Sequence, residues 1–339
     1  MGDAARTAEK PAAGRMLWLD AARGMAMVFI IIGHCGFLND FERNLIFSFH
    51  VPLFFILSGF TYRKKPNRLG KYAKQLLVPY LVTSALVILF WVLRPYEYYT
   101  GVPDILKAVL FGSGNLFGSW KAIGEIWFFP ALLIARLLMD LIFTLKKEWV
   151  RGVLCFALLI PVYVLHRFGI WLPLSADIAM AAVSFLYIGH LVRKYSDTVL
   201  YWPLIIFFAG FWILSVSYTS MSLSARDYGI FPFAAWPGAV AGSMVVIGLC
   251  KLLCRDGPLT KALAWVGRHT ILILCIHSLD WRMLFALPGG KLQGLNPGHA
   301  WNVFIFLVRR FVFDLGVAGI VLGLREGAAR LLQHKKEAS

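Results

Sequence analysis

Apolar runs long enough to cross a bilayer recur along this chain from residue 17 to residue 324. A membrane helix needs about 20 such residues, and lipid tolerates only backbones that satisfy their own polar groups. The runs predict ten helical spans, at about 17–38, 45–62, 76–93, 125–145, 150–167, 175–192, 200–218, 236–253, 261–280 and 300–324. The expected fold class is therefore all-α: a polytopic transmembrane helical bundle. With 59% apolar residues and a mean hydropathy of +0.69, little chain is left for a soluble domain. Any chemistry belongs to the membrane region, 15–325, flanked by short polar tails at 1–14 and 326–339. The first residues lack the isolated apolar core and cleavage site of a signal peptide.

Lys and Arg set the orientation. With the N-terminus inside, 21 of them fall in inner segments and 8 in outer ones, the other five lying in or at the edge of spans. That bias predicts cytoplasmic termini and an even span count. It also accounts for most of the net charge of +16, so nucleic acid is not needed as a partner. The expected place is a bacterial cytoplasmic (inner) membrane, crossed many times, with lipid as the constant neighbour. The five cysteines fall in or near apolar spans and suggest neither a disulfide nor a metal site.

Residues 18–62 organise the rest. Two apolar runs there carry Asp20, Arg23, His34 and His50, and ionisable groups at membrane depth read as functional by default. Arg23 and His34 are eleven residues apart, which on a helix is one face and a separation of about 16 Å. In an antiparallel hairpin, His50 comes to a depth similar to that of His34. A protein-lined imidazole suits proton abstraction from a hydroxyl, whereas Arg23 stays protonated and suits phosphate or carboxylate.

LDAARGMAMVFIIIGH followed by FHVPLFFILSGF resembles the opening of the acyltransferase-three family of integral-membrane O-acyltransferases. EIWFFPALL is similar to that family's WFLPAL-type segment, and VGRHTILILCIHS to its late segment ending in Leu-His. The resemblance implies transfer of an acyl group, acetyl above all, from cytoplasmic acyl-CoA to a hydroxyl of a glycan or lipid-linked sugar at the outer face. It implies acyl-CoA as a co-substrate, with no permanently bound cofactor. His34 then matches the family's catalytic His and Arg23 its partner; His50, Pro52, Ser58 and Gly59 match the second-helix pattern. Whether His34 carries an acyl intermediate or acts only as a base stays open.

Further along, Arg63, Lys64 and Lys65 open the densest basic segment. It reads as a topology signal, as a cytoplasmic mouth for the anionic head of acyl-CoA, or as both. The loop at 95–124 reads as a lid or wall on the acceptor side, or as a surface linker, with a short helix at VPDILKAVLF. Glu125 and Trp127 stand at a span boundary and are candidates for acceptor binding. His277 is a further candidate for lining the site, and Asp20 a partner for Arg23. Arg136 with Asp140, and Arg310 with Asp314, are spaced by four and read as pairs satisfying each other. The rival reading is a proton-coupled transporter or flippase of an envelope precursor, in which the same groups relay protons. A third is a membrane sensor that keeps the fold for binding.

Overall fold

The computed structural model describes residues 16–34, 38–64, 68–95, 98–115, 121–229, 232–286 and 300–337. Lys65 and the first fifteen residues lie outside them. The helices are α1 (Leu17–Gly33), α2 (Asp40–Phe60), α3 (Leu69–Leu93), α4 (Val102–Phe111), α5 (Phe128–Ile142) and α6 (Glu148–Arg167). They continue as α7 (Ala176–Lys194), α8 (Trp202–Tyr218), α9 (Pro232–Leu253), α10 (Pro258–Arg268), α11 (Thr270–Ala286) and α12 (Ala300–Glu337). No strand forms among the described residues; Ser222 and Asp227 make an isolated bridge.

Helices occupy all ten predicted stretches. Among the described residues, five helices are long and apolar enough to cross a membrane: Asp40–Phe60, Leu69–Leu93, Glu148–Arg167, Pro173–Lys194 and Ala234–Leu253. A sixth is counted if Pro258–Arg268 and Thr270–Asp280 form one broken span. The stretch 261–280, expected as a single helix, is in fact these two, bent by 75°. The polar triplet Arg268–His269–Thr270 interrupts the apolar run. There His269 closes α10 by donating its backbone N–H to Trp265 and Val266 and bonding Trp265 O again through Nδ1, at 2.9 Å. The last helix runs on to Glu337, through the segment read as a tail.

Local chemistry explains the other boundaries. Asn39 and Glu42 cap α2 reciprocally, with bonds of 2.9 and 3.0 Å, which satisfies two donors at the helix start. In α3 a π turn at Ala73–Leu77 precedes Pro79, whose missing N–H cannot bond Gln75 in a regular helix. Two crossings bring backbones together. A side chain at Gly24 of α1 would strike Leu263 and Gly267 of α10, and one at Gly59 of α2 would strike Leu186 of α7. Small residues allow such close approach in membranes, where packing rather than water drives association. Around these crossings Met27, Ile31, Leu53, Phe55, Ile56 and Phe129 form the core. On α3, α6 and α8, Leu81, Val82, Ile160, Ile206 and Phe207 face outward, as lipid contact requires.

The turn between α8 and α9 is pinned to the start of α7. Arg226, at a φ of 54°, pairs two of its nitrogens with Asp177, one bond measuring 3.1 Å. Its guanidinium lies 3.5 Å from the ring centre of Trp171. Asp177 and Arg226 are both buried.

Candidate active site

Both functional ends of the molecule hang on α1. Asp20, Gly24, Met27 and Ile31 are buried along it, a seam at helical spacing that fixes its rotation. Arg23 and His34 are thereby held half-buried, at 25% and 29% side-chain exposure, near opposite ends. Trp18 packs on Phe60 at 5.3 Å, which confirms the antiparallel hairpin.

At the far end, the His34 ring bonds Ile30 O through Nδ1 at 2.8 Å. A carbonyl only accepts, so Nδ1 carries the proton and Nε2 keeps its lone pair in the neutral ring. Nε2 faces Glu125 Oε1 at 3.7 Å, beyond direct hydrogen bonding. The backbone carbonyl of His34 accepts from Arg310 Nη1 at 3.0 Å, so α12 fixes the end of α1. The His277 ring meets that of His34 edge-on, with centres 5.5 Å apart. Asp314 Oδ2 accepts from His277 Nδ1 at 2.7 Å, with both groups buried. His277 Nε2 has no hydrogen-bond partner among the described residues. Asp280 pairs with Arg309 at 2.7 Å and with Arg310 at 3.4 Å.

The two histidines and Glu125 each offer a ligand atom within 4.8 Å of the others, a set able to hold a divalent cation. His34 and Glu125 border a cavity of about 70 Å³ lined also by Met27, Phe47, His50, Phe54, Trp127 and Ser224. Phe47 touches both His34 and His50, at 5.7 and 5.0 Å between ring centres, so the hairpin does bring the two imidazoles to one depth. The His50 ring is itself back-bonded to Ile46 O at 2.6 Å. A side chain at Gly114 would collide with the Trp127 indole; the glycine lets the 95–124 loop close over this wall, and α4 supplies the helix expected there.

At the near end, Arg23 Nη1 donates to Asp20 Oδ1 at 3.3 Å. Arg136 lies within electrostatic reach of both Arg23 and Arg68. Arg136 does not pair with Asp140 as its spacing suggests. Its Nε donates to Ser58 Oγ at 3.1 Å and its guanidinium sits 5.3 Å from the Tyr72 ring centre, while Asp140 accepts from Tyr62 at 2.6 Å. Arg310 and Asp314 do not pair either: each reaches across to α11 instead, Arg310 to Asp280 and Asp314 to His277. Arg63 is exposed and Lys64 donates to Phe143 O at 3.0 Å.

Thus His34, His50, Glu125 and Trp127 meet at one cavity, and the His277 ring packs against that of His34. Arg23, Asp20 and Ser58 belong to the other end with Arg68, which the sequence offers only as part of the basic segment, and Arg136, which it offers as a partner of Asp140. The density of basic residues beside 63–74 was the available signal for Arg68. A family model for the acyltransferase-3 type, described as an acyltransferase domain, matches residues 16–317. No curated protein and no solved structure matches the chain.

Proposed function

The chain belongs to the acyltransferase-3 family, and on that premise we propose that it is an O-acyltransferase moving a short acyl group, acetyl first, from cytoplasmic acyl-CoA to a hydroxyl of an envelope glycan or lipid-linked sugar. The observation that carries this reading is the placement of an imidazole, His34, and a guanidinium, Arg23, on one helix about 16 Å apart. That separation is comparable to the reach of a pantetheine arm. The cationic end, with Arg23, Arg68 and Arg136, would hold the phosphates, and Arg suits them through its planar fork. The other end would hold the thioester against His34.

On this reading His34 Nε2 takes the acceptor's proton, and Glu125 balances the charge the ring then gains. His50, Glu125 and Trp127 shape the acceptor's place. The transporter reading lacks a specific observation in its favour. The experiment is acyl transfer by detergent-purified protein from labelled acetyl-CoA, joined to mass spectrometry of envelope glycans and lipids from cells with and without the gene. An O-acetyl group lost with the gene supports the reading. Unchanged glycans and lipids, with no transfer in vitro, reject it.

A further inference from the structure

The rings of His34 and His277 are anchored on the same plan. Each has its Nδ1 committed to an acceptor fixed by the fold: the Ile30 carbonyl at 2.8 Å for His34, the Asp314 carboxylate at 2.7 Å for His277. A carbonyl or carboxylate oxygen accepts, so the hydrogen sits on Nδ1 and Nε2 is the nitrogen left to meet a ligand. Metal-binding imidazoles are oriented in this way, by a carboxylate or carbonyl on the nitrogen that does not touch the ion. The His277 side chain is only 1% exposed, and its Nε2 has no hydrogen-bond partner among the described residues. His34 Nε2 stands 3.7 Å from Glu125 Oε1. That is too far for a hydrogen bond. It is close to the spacing of two atoms bound to one tetrahedral zinc ion, about 3.3–3.6 Å for bonds of about 2.0–2.2 Å. His34, Glu125 and His277 each present a ligand atom within 4.8 Å of the other two.

We propose that His34, Glu125 and His277 form a binding site for a divalent transition-metal ion, Zn²⁺ foremost, and that the bound ion switches acyl transfer off. Two imidazoles favour zinc, and with it copper and nickel, over magnesium and calcium, which take oxygen ligands. Three protein ligands leave a fourth position for water, and the cavity of about 70 Å³ beside His34 and Glu125 has room for one. Closing the set asks the three side chains to draw together by about 1 Å. Metal binding needs nothing from the acyltransferase reading above; the switch rests on it. In that reading His34 works through the lone pair on Nε2. Zinc takes the same lone pair, and Glu125 with it, so an ion in place leaves the acceptor's proton without a base. Chelation returns the lone pair, because no covalent bond of the protein is made or broken.

The test is zinc binding by the purified full chain, carrying a tag without histidine, followed by calorimetry and by X-ray absorption at the zinc edge. A single saturable site is expected, with two imidazole nitrogens and a carboxylate oxygen at about 2.0–2.2 Å from the ion. His277→Ala and Glu125→Gln should each abolish it. Asp314→Asn, which touches only the orientation of His277, should weaken it by about 10- to 100-fold. His190→Ala, in the separate pair with Glu148, should leave it intact. Added zinc should then stop acetyl transfer by the wild type, and EDTA should restore it. A wild type that binds no zinc overturns the site, and so does binding that survives in His277→Ala. Sulfur among the zinc ligands, from Cys250 and Cys254, overturns it with the wild type alone. Zinc bound at the site with transfer unchanged or raised overturns the switch. Absence of transfer by the zinc-free wild type, with the site present, would instead strike the acyltransferase reading.

Discussion

Two buried polar clusters sit in this bundle, and they are built on opposite plans. At the α7 end, Arg226 turns its charge onto Asp177 and its flat face onto Trp171. At the end of α1, His34 Nε2 and Glu125 Oε1 stand 3.7 Å apart beside a cavity, with the His277 ring against that of His34. The first cluster spends both Asp177 oxygens on Arg226 and holds a turn in place, with Arg226 Nη1 left over. The second leaves capacity pointed at a space. Ionisable groups at membrane depth are costly in both cases, so their presence alone does not separate structure from chemistry. What separates them is whether their polar atoms are spent on one another.

The sharpest way to test that contrast is at His34. His34→Ala and His34→Gln should each lower acyl transfer by about 10² to 10⁴, the usual worth of a general base, with acyl-CoA binding retained. Gln serves because an amide bonds but does not take a proton near neutral pH. Near-normal turnover by His34→Gln would erase the distinction. The converse test is Arg226→Ala, which leaves Asp177 buried and alone. It should cost about 3–5 kcal/mol of stability, read as a lower thermal midpoint in detergent, while the fraction still folded keeps its affinity for acyl-CoA. A normal midpoint would show that the cluster is not a clamp.

Smaller effects belong to the donor end. Arg23→Ala and Arg136→Ala should each weaken acyl-CoA binding by roughly tenfold to a hundredfold, the range for hydrogen bonds to charged groups, with turnover at saturation less affected. Arg23→Lys should restore only part of it, for want of the planar fork. Coenzyme A affinity unchanged in all three would remove these residues from the donor site. Least of all should follow from Arg63→Gln with Lys64→Gln. Charges so exposed are screened and worth little, so a few-fold loss that fades with added salt is the expected result of the same binding measurement.

How much of this was legible beforehand depends on the distance over which a residue finds its partner. Arg23 and His34 belong to one helix, and helical period alone put them on one face. His50 followed from the hairpin, and its contact with Phe47 agrees. Asp314 is 37 residues from His277, and no local pattern joins them. Worse, a local pattern misled: spacing by four suggested Arg310 with Asp314 and Arg136 with Asp140. That rule describes the surface of an isolated helix. In a packed bundle a neighbouring helix offers better-placed partners, and α11 took both Arg310 and Asp314. The break at His269 was hidden for a related reason, since hydropathy averages over a window and passes smoothly across one polar triplet.

The size of the cavity sets a limit on timing. At about 70 Å³ it has room for a few water molecules and for a small acyl group, but a sugar ring needs several times that space. On the acyltransferase reading, a sugar acceptor would reach His34 only with part of the wall moved aside. Ser224, on the turn pinned by Arg226, and Gly114, beside the Trp127 indole, are among the parts of that wall outside the long helices. Loop displacements of this kind run on microseconds to milliseconds and pace many enzymes. Turnover in this protein would then be clocked by a door opening rather than by bond-making, and substitutions that loosen the 219–229 turn would speed admission while letting water in behind the substrate.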